Sequence, residues 1–398
     1  MSERDIIKIL QSDIAVPQAV QERADEAFEQ IRSKNAGKKR RKAHFSKKKI
    51  LILAVVAVLA LGSITVYAAC RNWSKSLSEG MSMTEEQKAQ LEEEGAVVFP
   101  MQEQAQAQED TVIMPQSQTC NGVTVTAVQS ITDLYAAHLV FKVEGYELPE
   151  DTQPDFENLI VTVDGNRDCN WSGSFYDGLV TGADGMSEYA DGSPINYEEF
   201  CPRYVRDDGS MEYWLTLVHD EKGYFLGKDV HVEFENLGIV EKAEYLSDNE
   251  VQGKWNFDWN LQGTDSMYEY TLEESLGDTG AVVMRAEISP ITIHVEYQFP
   301  YQTRTAQAID ENGNPVTLHK RVIPPPFVGV RLKDGTVYTH LRGGGMEGYL
   351  QGTSSGVYEV INVNERIITP DQVAYLLFLK NVDGQYLADE FYEVPVNQ

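Results

Sequence analysis

The stretch "KKRRKAHFSKKKILILAVVAVLALGSITVYAAC", Lys38 to Cys70, constrains the chain more than any other part of it. Twenty residues without a charge, Ile50 to Ala69, follow directly on a dense basic run. A helix rises about 1.5 Å per residue, so a run of this length covers ~30 Å, the hydrocarbon thickness of a bilayer. Ile50 to Leu61 is unbroken Ile, Leu, Val and Ala. Gly62, Ser63 and Thr65 fit such a helix, because it satisfies its own backbone and small hydroxyls bond back to it. Tyr67 and Trp73 stand where interfacial aromatics lie. The expectation is a transmembrane helix over 50–69. A cleaved signal peptide has a short basic start, an apolar run of about 7–15 residues and a small-x-small cleavage site. Here 49 residues precede the run. Tyr67 is a poor cleavage residue and also occupies the aliphatic position that lipidation at Cys70 would want. A permanent anchor is the preferred reading, with cleavage and lipidation as the alternatives.

Charge orients the anchor. Lys38, Lys39, Arg40, Arg41, Lys42, Lys47, Lys48 and Lys49 crowd its N-terminal side, whereas Arg71 and Lys75 are sparse on the other. The excess of positive charge belongs in the cytoplasm, which puts the N-terminus inside and the C-terminal bulk outside the cell membrane. A basic run is also a nucleic-acid signature, but its abutment to an apolar span favours the membrane-orienting role. Residues 1–49 carry 13 Lys and Arg against 7 Asp and Glu, leaving 20 against 55 for the remainder. So acidic an outer region repels anionic polymers and argues against nucleic acid as a partner.

The cytoplasmic piece begins "RDIIKILQSDIAVPQAVQERADEAFEQIRSK". Ile6, Ile7, Ile9 and Leu10 suggest one short helix, and Pro17 suits the first turn of a second. Val20, Ala24, Phe28 and Ile31 then recur at helical spacing opposite an acidic face. Two helices of this size cannot bury a stable core alone. The segment 1–49 therefore reads as a docking peptide, with an unimportant tail as the plain alternative.

After the anchor, "SMTEEQKAQLEEEG" predicts an exposed helix in which Thr84 caps with Gln87 and Gly95 ends the run. "QEQAQAQED" reads as a polar spacer, so 70–117 is expected to be helix and stalk. From about Cys120 short alternating runs separated by Gly, Asn, Asp and Pro predict strands: "GVTVTAVQSI", "AHLVFKVEGY", "LIVTVDGN", "MEYWLTLVH" and "KDVHVEFENLG". A second series begins near Lys254 with "KWNFDWNL". The fold expected is mainly β: two tandem immunoglobulin-like sandwiches, 118–247 and 248–398. "CNGVTVTAVQSITDLYAAHLVFKV" and "TGAVVMRAEISPITIHVEYQF" echo one another, as duplication would make them and as any two sandwiches would.

Motifs of chemistry are scarce. The chain has no Walker-type phosphate loop, no Gly-x-Ser-x-Gly elbow and no His-Glu-x-x-His. Its seven histidines are scattered, and His138, His231 and His294 alternate within strands as structural or surface residues do. "GADGMSEYADG" offers Asp184, Glu188 and Asp191, yet the spacing fits no calcium loop and a solvated acidic loop is the better reading. No catalytic residue, metal site or cofactor is expected. Four cysteines are too few for a disulfide scaffold. Cys169 and Cys201 are the candidate bridge, which would be worth roughly 3–4 kcal/mol on a chain-entropy argument.

"VPQAVQERADEAFEQIR", the basic run with its span, "TEEQKAQLEEEG", "LYAAHLVFKVEGYELPEDTQPDFENLIVTVDG" and "ISPITIHVEYQF … GVRLKDGTVY" together resemble a family of single-pass membrane proteins of Gram-positive bacteria, mostly clostridial. That family carries domain of unknown function 4179. Its genes often neighbour extracytoplasmic-function sigma factors, and its members are commonly labelled anti-sigma factors. The resemblance implies a cytoplasmic end that holds a sigma factor and an external β-rich region that senses or couples to the envelope. It supplies no catalytic residue. Zinc-type anti-sigma domains use a His and a Cys-x-x-Cys pair, whereas residues 1–69 lack cysteine, so sigma binding would run through the face of Val20, Ala24, Phe28 and Ile31. The alternative is a cell-surface binding or structural protein, holding wall polymer or another protein, whose N-terminus serves only as anchor.

Overall fold

A computed structural model describes residues 73–396, apart from 106–110, 183–184, 194, 196–201, 242–243, 310–313, 351 and 383–384. The expected anchor 50–69, the orienting lysines and arginines, and the Val20, Ala24, Phe28 and Ile31 face lie outside these residues. No helix among the described residues is long and apolar enough to cross a membrane.

Two short helices come first, α1 (Lys75–Gly80) and α2 (Glu85–Glu93). The N-terminal half then carries β1 (Val97–Val98), β2 (Met101–Ala105), β3 (Thr111–Pro115), β4 (Ser117–Cys120), β5 (Val123–Thr132), β6 (Ala136–Glu144) and β7 (Gln153–Val163). It continues with β8 (Asn170–Phe175), β9 (Leu179–Thr181), β10 (Ser187–Tyr189), β11 (Met211–Val218), β12 (Asp229–Glu241) and β13 (Glu244–Asn260). The C-terminal half begins with β14 (Tyr268–Ser275), β15 (Val282–Ile288), β16 (Thr292–Gln298), β17 (Thr303–Ile309) and β18 (Pro315–Arg321). It ends with β19 (Phe327–Leu332), β20 (Val337–Tyr338), β21 (Arg342–Tyr349), β22 (Val357–Asn364), β23 (Val373–Val382) and β24 (Gln385–Pro395).

The chain is mainly β, built of antiparallel sheets that pack in sandwich fashion. In the N-terminal half the path β1-β5-β6-β11-β8, with β4 added beside β5, faces β13-β12-β7. Alternation aims the side chains: Val123, Val125, Leu139, Phe141, Tyr213 and Leu215 from one sheet meet Phe156, Val232, Phe234, Trp255 and Phe257 from the other. In the C-terminal half β14-β15-β16-β22-β21 faces β20-β19-β23-β24. There Val283, Ile293, Val295 and Tyr297 meet Phe327, Val330, Leu376 and Phe378.

The route is the same in both halves. The chain runs β5 and β6 in the first sheet, crosses to β7, returns for β8 and β11, and crosses again for β12 and β13. It then repeats this as β15 and β16, β19, β21 and β22, β23 and β24. The hairpin turns at the start also match, with Asp133 N–H donating to Ala136 O in one and Ser289 N–H to Thr292 O in the other. The echo between the two sequences therefore has a structural counterpart. Different hairpins are inserted in each, β9–β10 in the first and β17–β18 in the second.

Two expectations need correction. The boundary at 247/248 falls inside β13, whose Trp255, Phe257 and Trp259 register against Phe234, Val232 and Val230 of β12 and fill the first core. Alternation says which face a residue takes but not which sheet its strand joins, so "KWNFDWNL" looked equally at home in the second series. The described part of 70–117 is also no free stalk. The capping box of Thr84 with Gln87 forms, and Gly95 follows the helix at φ +72°. Leu77, Met81 and Leu91, however, are buried against Ile131 and Val140 on the outer face of the first sheet, together with Ile291 and Ile367 of the C-terminal half. Burying each such side chain contributes roughly 1.5–3 kcal/mol, and the described residues form one compact unit.

Candidate functional site

The two matched hairpin turns meet, and polar chemistry concentrates where they do. Asp133 is fully enclosed; its Oδ1 accepts the N–H groups of Tyr135 and Ala136, each at 2.9 Å. Its Oδ2 accepts the hydroxyls of Ser289 and of Thr292, the latter at 2.5 Å. Burial raises its pKa, and these four hydrogen bonds oppose the rise.

A second knot lies beside it. Glu287 on β15 accepts the Tyr135 hydroxyl at 2.5 Å and Lys222 Nζ at 2.6 Å, both from the N-terminal half. It also pairs with Arg285 and with His294 Nδ1 at 2.9 Å. His294 Nε2 reaches Glu359 at 3.3 Å. Burial works to lower the His294 pKa, but the hydrogen bonds to Glu287 and Glu359 outweigh it and the value is raised. Burial likewise works to raise Glu287, and His294, Lys222 and Tyr135 hold it below the usual carboxylate range. A buried ion pair cluster of this kind orients parts more than it stabilises them; here it sets one half against the other.

A feature that could accept a ligand is a cleft of about 330 Å³. Its floor is the outer face of the first sheet. His138, Thr216 and Ser172 form one cross-strand row over β6, β11 and β8, and Val140, Trp214 and Ser174 form the next. Gly80 of α1 closes one side, the β9–β10 hairpin a second, and Gly343, Asn364 and Glu365 of the C-terminal half a third. A Cβ at Gly80 would stand 2.9 Å from the Trp214 ring, so only glycine lets the helix come this close. The hairpin is tied across the junction: Thr181 Oγ1 donates to Glu365 at 2.6 Å, and Arg366 donates to Thr181 O at 3.1 Å.

His138 is buried, and desolvation pushes its pKa down to about 4, so it is neutral. The Trp214 indole N–H donates to its Nδ1 at 3.1 Å, with the Thr216 hydroxyl 3.0 Å from the same nitrogen. The ring proton therefore sits on Nε2. Nε2 has no hydrogen-bond partner, nor has the hydroxyl of Tyr176, another lining residue.

Other sequence candidates lie apart from this site. Cys169 is a buried free thiol with its pKa raised by burial; its expected partner, Cys201, lies outside the described residues. Asp191 is taken up by Ser193 and by Arg203 at 2.8 Å, while Glu188 is exposed and Asp184 lies outside the described residues. No group of three or more His, Cys, Asp or Glu arranged to hold a metal occurs among the described residues. His231 pairs with Asp258 at 2.7 Å on the surface. Sequence reasoning passed over His138 and His294; their shared offset after the two echoed turns was the signal that marks them as a matched pair.

No family model matches the chain, and no curated protein matches it. Among solved structures it is similar to a conserved domain protein from Bacillus anthracis, at 12% identity over 71% of this chain and 87% of that one, with a TM-score of 0.36. It is also similar to the C-terminal domain of the AgI/II polypeptide BspA from Streptococcus agalactiae, at 12% identity over 70% and 96%, with a TM-score of 0.10. Likenesses this loose carry no argument about the chain.

Proposed function

We propose that the chain is a single-pass, membrane-anchored regulator of the anti-sigma type, without enzymatic activity, whose outer part is two tandem immunoglobulin-like sandwiches. Its N-terminus lies in the cytoplasm, where the face of Val20, Ala24, Phe28 and Ile31 docks an extracytoplasmic-function sigma factor. The repeated strand route supports two domains, with the boundary after β13 and before β14.

The observation that carries this reading is how the segment following residues 50–69 is keyed into both halves. Lys75 N–H and Ser76 N–H donate to the Glu212 carboxylate at 3.3 and 2.7 Å. From the other half, Ile367 N–H donates to Met81 O at 3.2 Å, and Gln87 Nε2 donates to Ile367 O at 3.2 Å. A change in how the halves meet thus reaches α1 and α2 through direct bonds, and a tether with no signalling role has no need of them. The experiment is co-purification of the full-length chain from membranes with whatever sigma factor it holds. Phe28→Asp with Ile31→Asp is expected to release that factor and leave the chain in the membrane. Identical retention by the native and altered chains would sink the regulator reading.

The cleft favours a second reading, a surface binding protein in which the N-terminus is anchor only. Under that reading, deleting residues 2–33 leaves the phenotype unchanged.

A further inference from the structure

We infer that the cleft between the first sheet, the β9–β10 hairpin and the C-terminal half is a binding site for a neutral, hydroxyl-rich ligand, a single sugar unit. The inference names what the outer region would sense or hold, and it does not depend on what the N-terminal segment binds.

The floor decides the chemistry. His138 lies in the floor of the cleft with its Nε2 N–H buried and without a protein partner, so the floor is polar at its base. Thr216, Ser172 and Ser174 add hydroxyls along the two neighbouring rows, and each can donate or accept as a sugar hydroxyl requires. The Tyr176 hydroxyl, also without a partner, is buried behind the lining. Trp214 stands among these groups, half-buried, its indole N–H spent on His138 and part of its ring covered by Gly80; only the remaining exposed part offers apolar contact to the C–H face of a pyranose.

Charge excludes the competitors. No Lys or Arg lines the cleft among the described residues, while the carboxylates of Asp177 and Glu365 do, so a phosphate or carboxylate ligand would be repelled. A wholly apolar ligand would strand the polar floor. The volume lies at the lower end of ligand pockets, about 300–1,000 Å³, which suits one ring rather than a length of polymer. Ser172, Ser174 and Ser187 are exposed, so the cleft is open to a ligand from solvent. Its walls come from both halves, so occupancy would favour one arrangement of the junction.

The test uses the full-length chain in a polyoxyethylene detergent, since sugar-headed detergents would compete. Glucose, N-acetylglucosamine and their β-1,4-linked dimers are titrated by saturation-transfer NMR and by tryptophan fluorescence, with glucose 6-phosphate as the charged control. Saturable binding of a neutral sugar is expected, at least about tenfold tighter than the phosphorylated control, a difference of ~1.4 kcal/mol. Ser174→Leu, at an exposed edge-strand position, should weaken binding at least tenfold with the thermal midpoint unchanged. Co-sedimentation with insoluble glucan and chitin separates a wall-polymer end from a free sugar as the source. No saturable binding of any neutral sugar, preference for the phosphorylated sugar, or native affinity in Ser174→Leu would each overturn the inference. None of these outcomes bears on sigma-factor retention, which is read without sugar.

Discussion

The two halves follow one strand route, yet matched positions in them have become chemically opposite. His138 pairs across strands with Ile131 in the first half, and His294 pairs with Glu287 in the second. Beside an isoleucine and under the helices, His138 is neutral with its pKa lowered. Between two carboxylates, His294 has its pKa raised. A repeated backbone reproduces where a side chain points; what it meets is free to diverge, and neighbouring carboxylates are enough to reverse the direction of its pKa shift. The outer faces diverge in the same way. In the first half α1 and α2 cover Ile131 and Val140, whereas the matched face of the second carries an ion-pair knot that receives Tyr135 and Lys222.

The comparison breaks most severely if the second half is given the first half's residue. Glu287→Ile removes the shared partner of Tyr135, Lys222, Arg285 and His294, and a buried charge left without its counterpart costs about 3–5 kcal/mol. Urea unfolding of the full chain should show a loss of that order, and a loss below about 1 kcal/mol would mean that the knot contributes little to joining the halves.

The histidines should also pull stability in opposite directions with pH. The folded pKa of His138 is about 4, against about 6.5 for an unperturbed histidine. As pH falls from 6.5 towards 4 the unfolded chain takes up the proton first, so His138 contributes a loss on the order of 3 kcal/mol across that window. For His294 the folded pKa is the higher one, so its contribution is complete below pH 6.5 and disappears as pH rises through the folded value. Denaturation midpoints against pH should therefore lose part of the acid limb in His138→Gln and part of the alkaline limb in His294→Gln. The same limb flattening in both variants would refute the opposite pKa shifts.

The smallest effect belongs to the hairpin that only the second half has. Leu318 on β18 is 41% exposed. Leu318→Ala should change stability by no more than about 0.5 kcal/mol, as surface substitutions do. A larger loss would show that β17–β18 is covered by something else in solution.

Much of this was legible in the chain itself. The capping box at Thr84 and Gln87 and the alternation of β5 and β6 are local patterns, and local patterns carry local structure. The echo at the two turns was visible too, although a pair of unrelated hairpins would look much the same. What the order of residues left open was always a matter of what lies against a face. Whether 254–260 joins one sheet or the other, whether Leu77 and Leu91 face water or a sheet, and whether a histidine is charged depend on partners far along the chain. Tyr135 meets Glu287 across 152 positions, and Ser76 meets Glu212 across 136. By itself the sequence determined the strands and their inward faces, because both follow from the period of the backbone. Only the tertiary structure decided the sheet partners, the junction, the cleft and the opposite pKa shifts of His138 and His294, because burial and field are properties of neighbours that the chain brings together by folding.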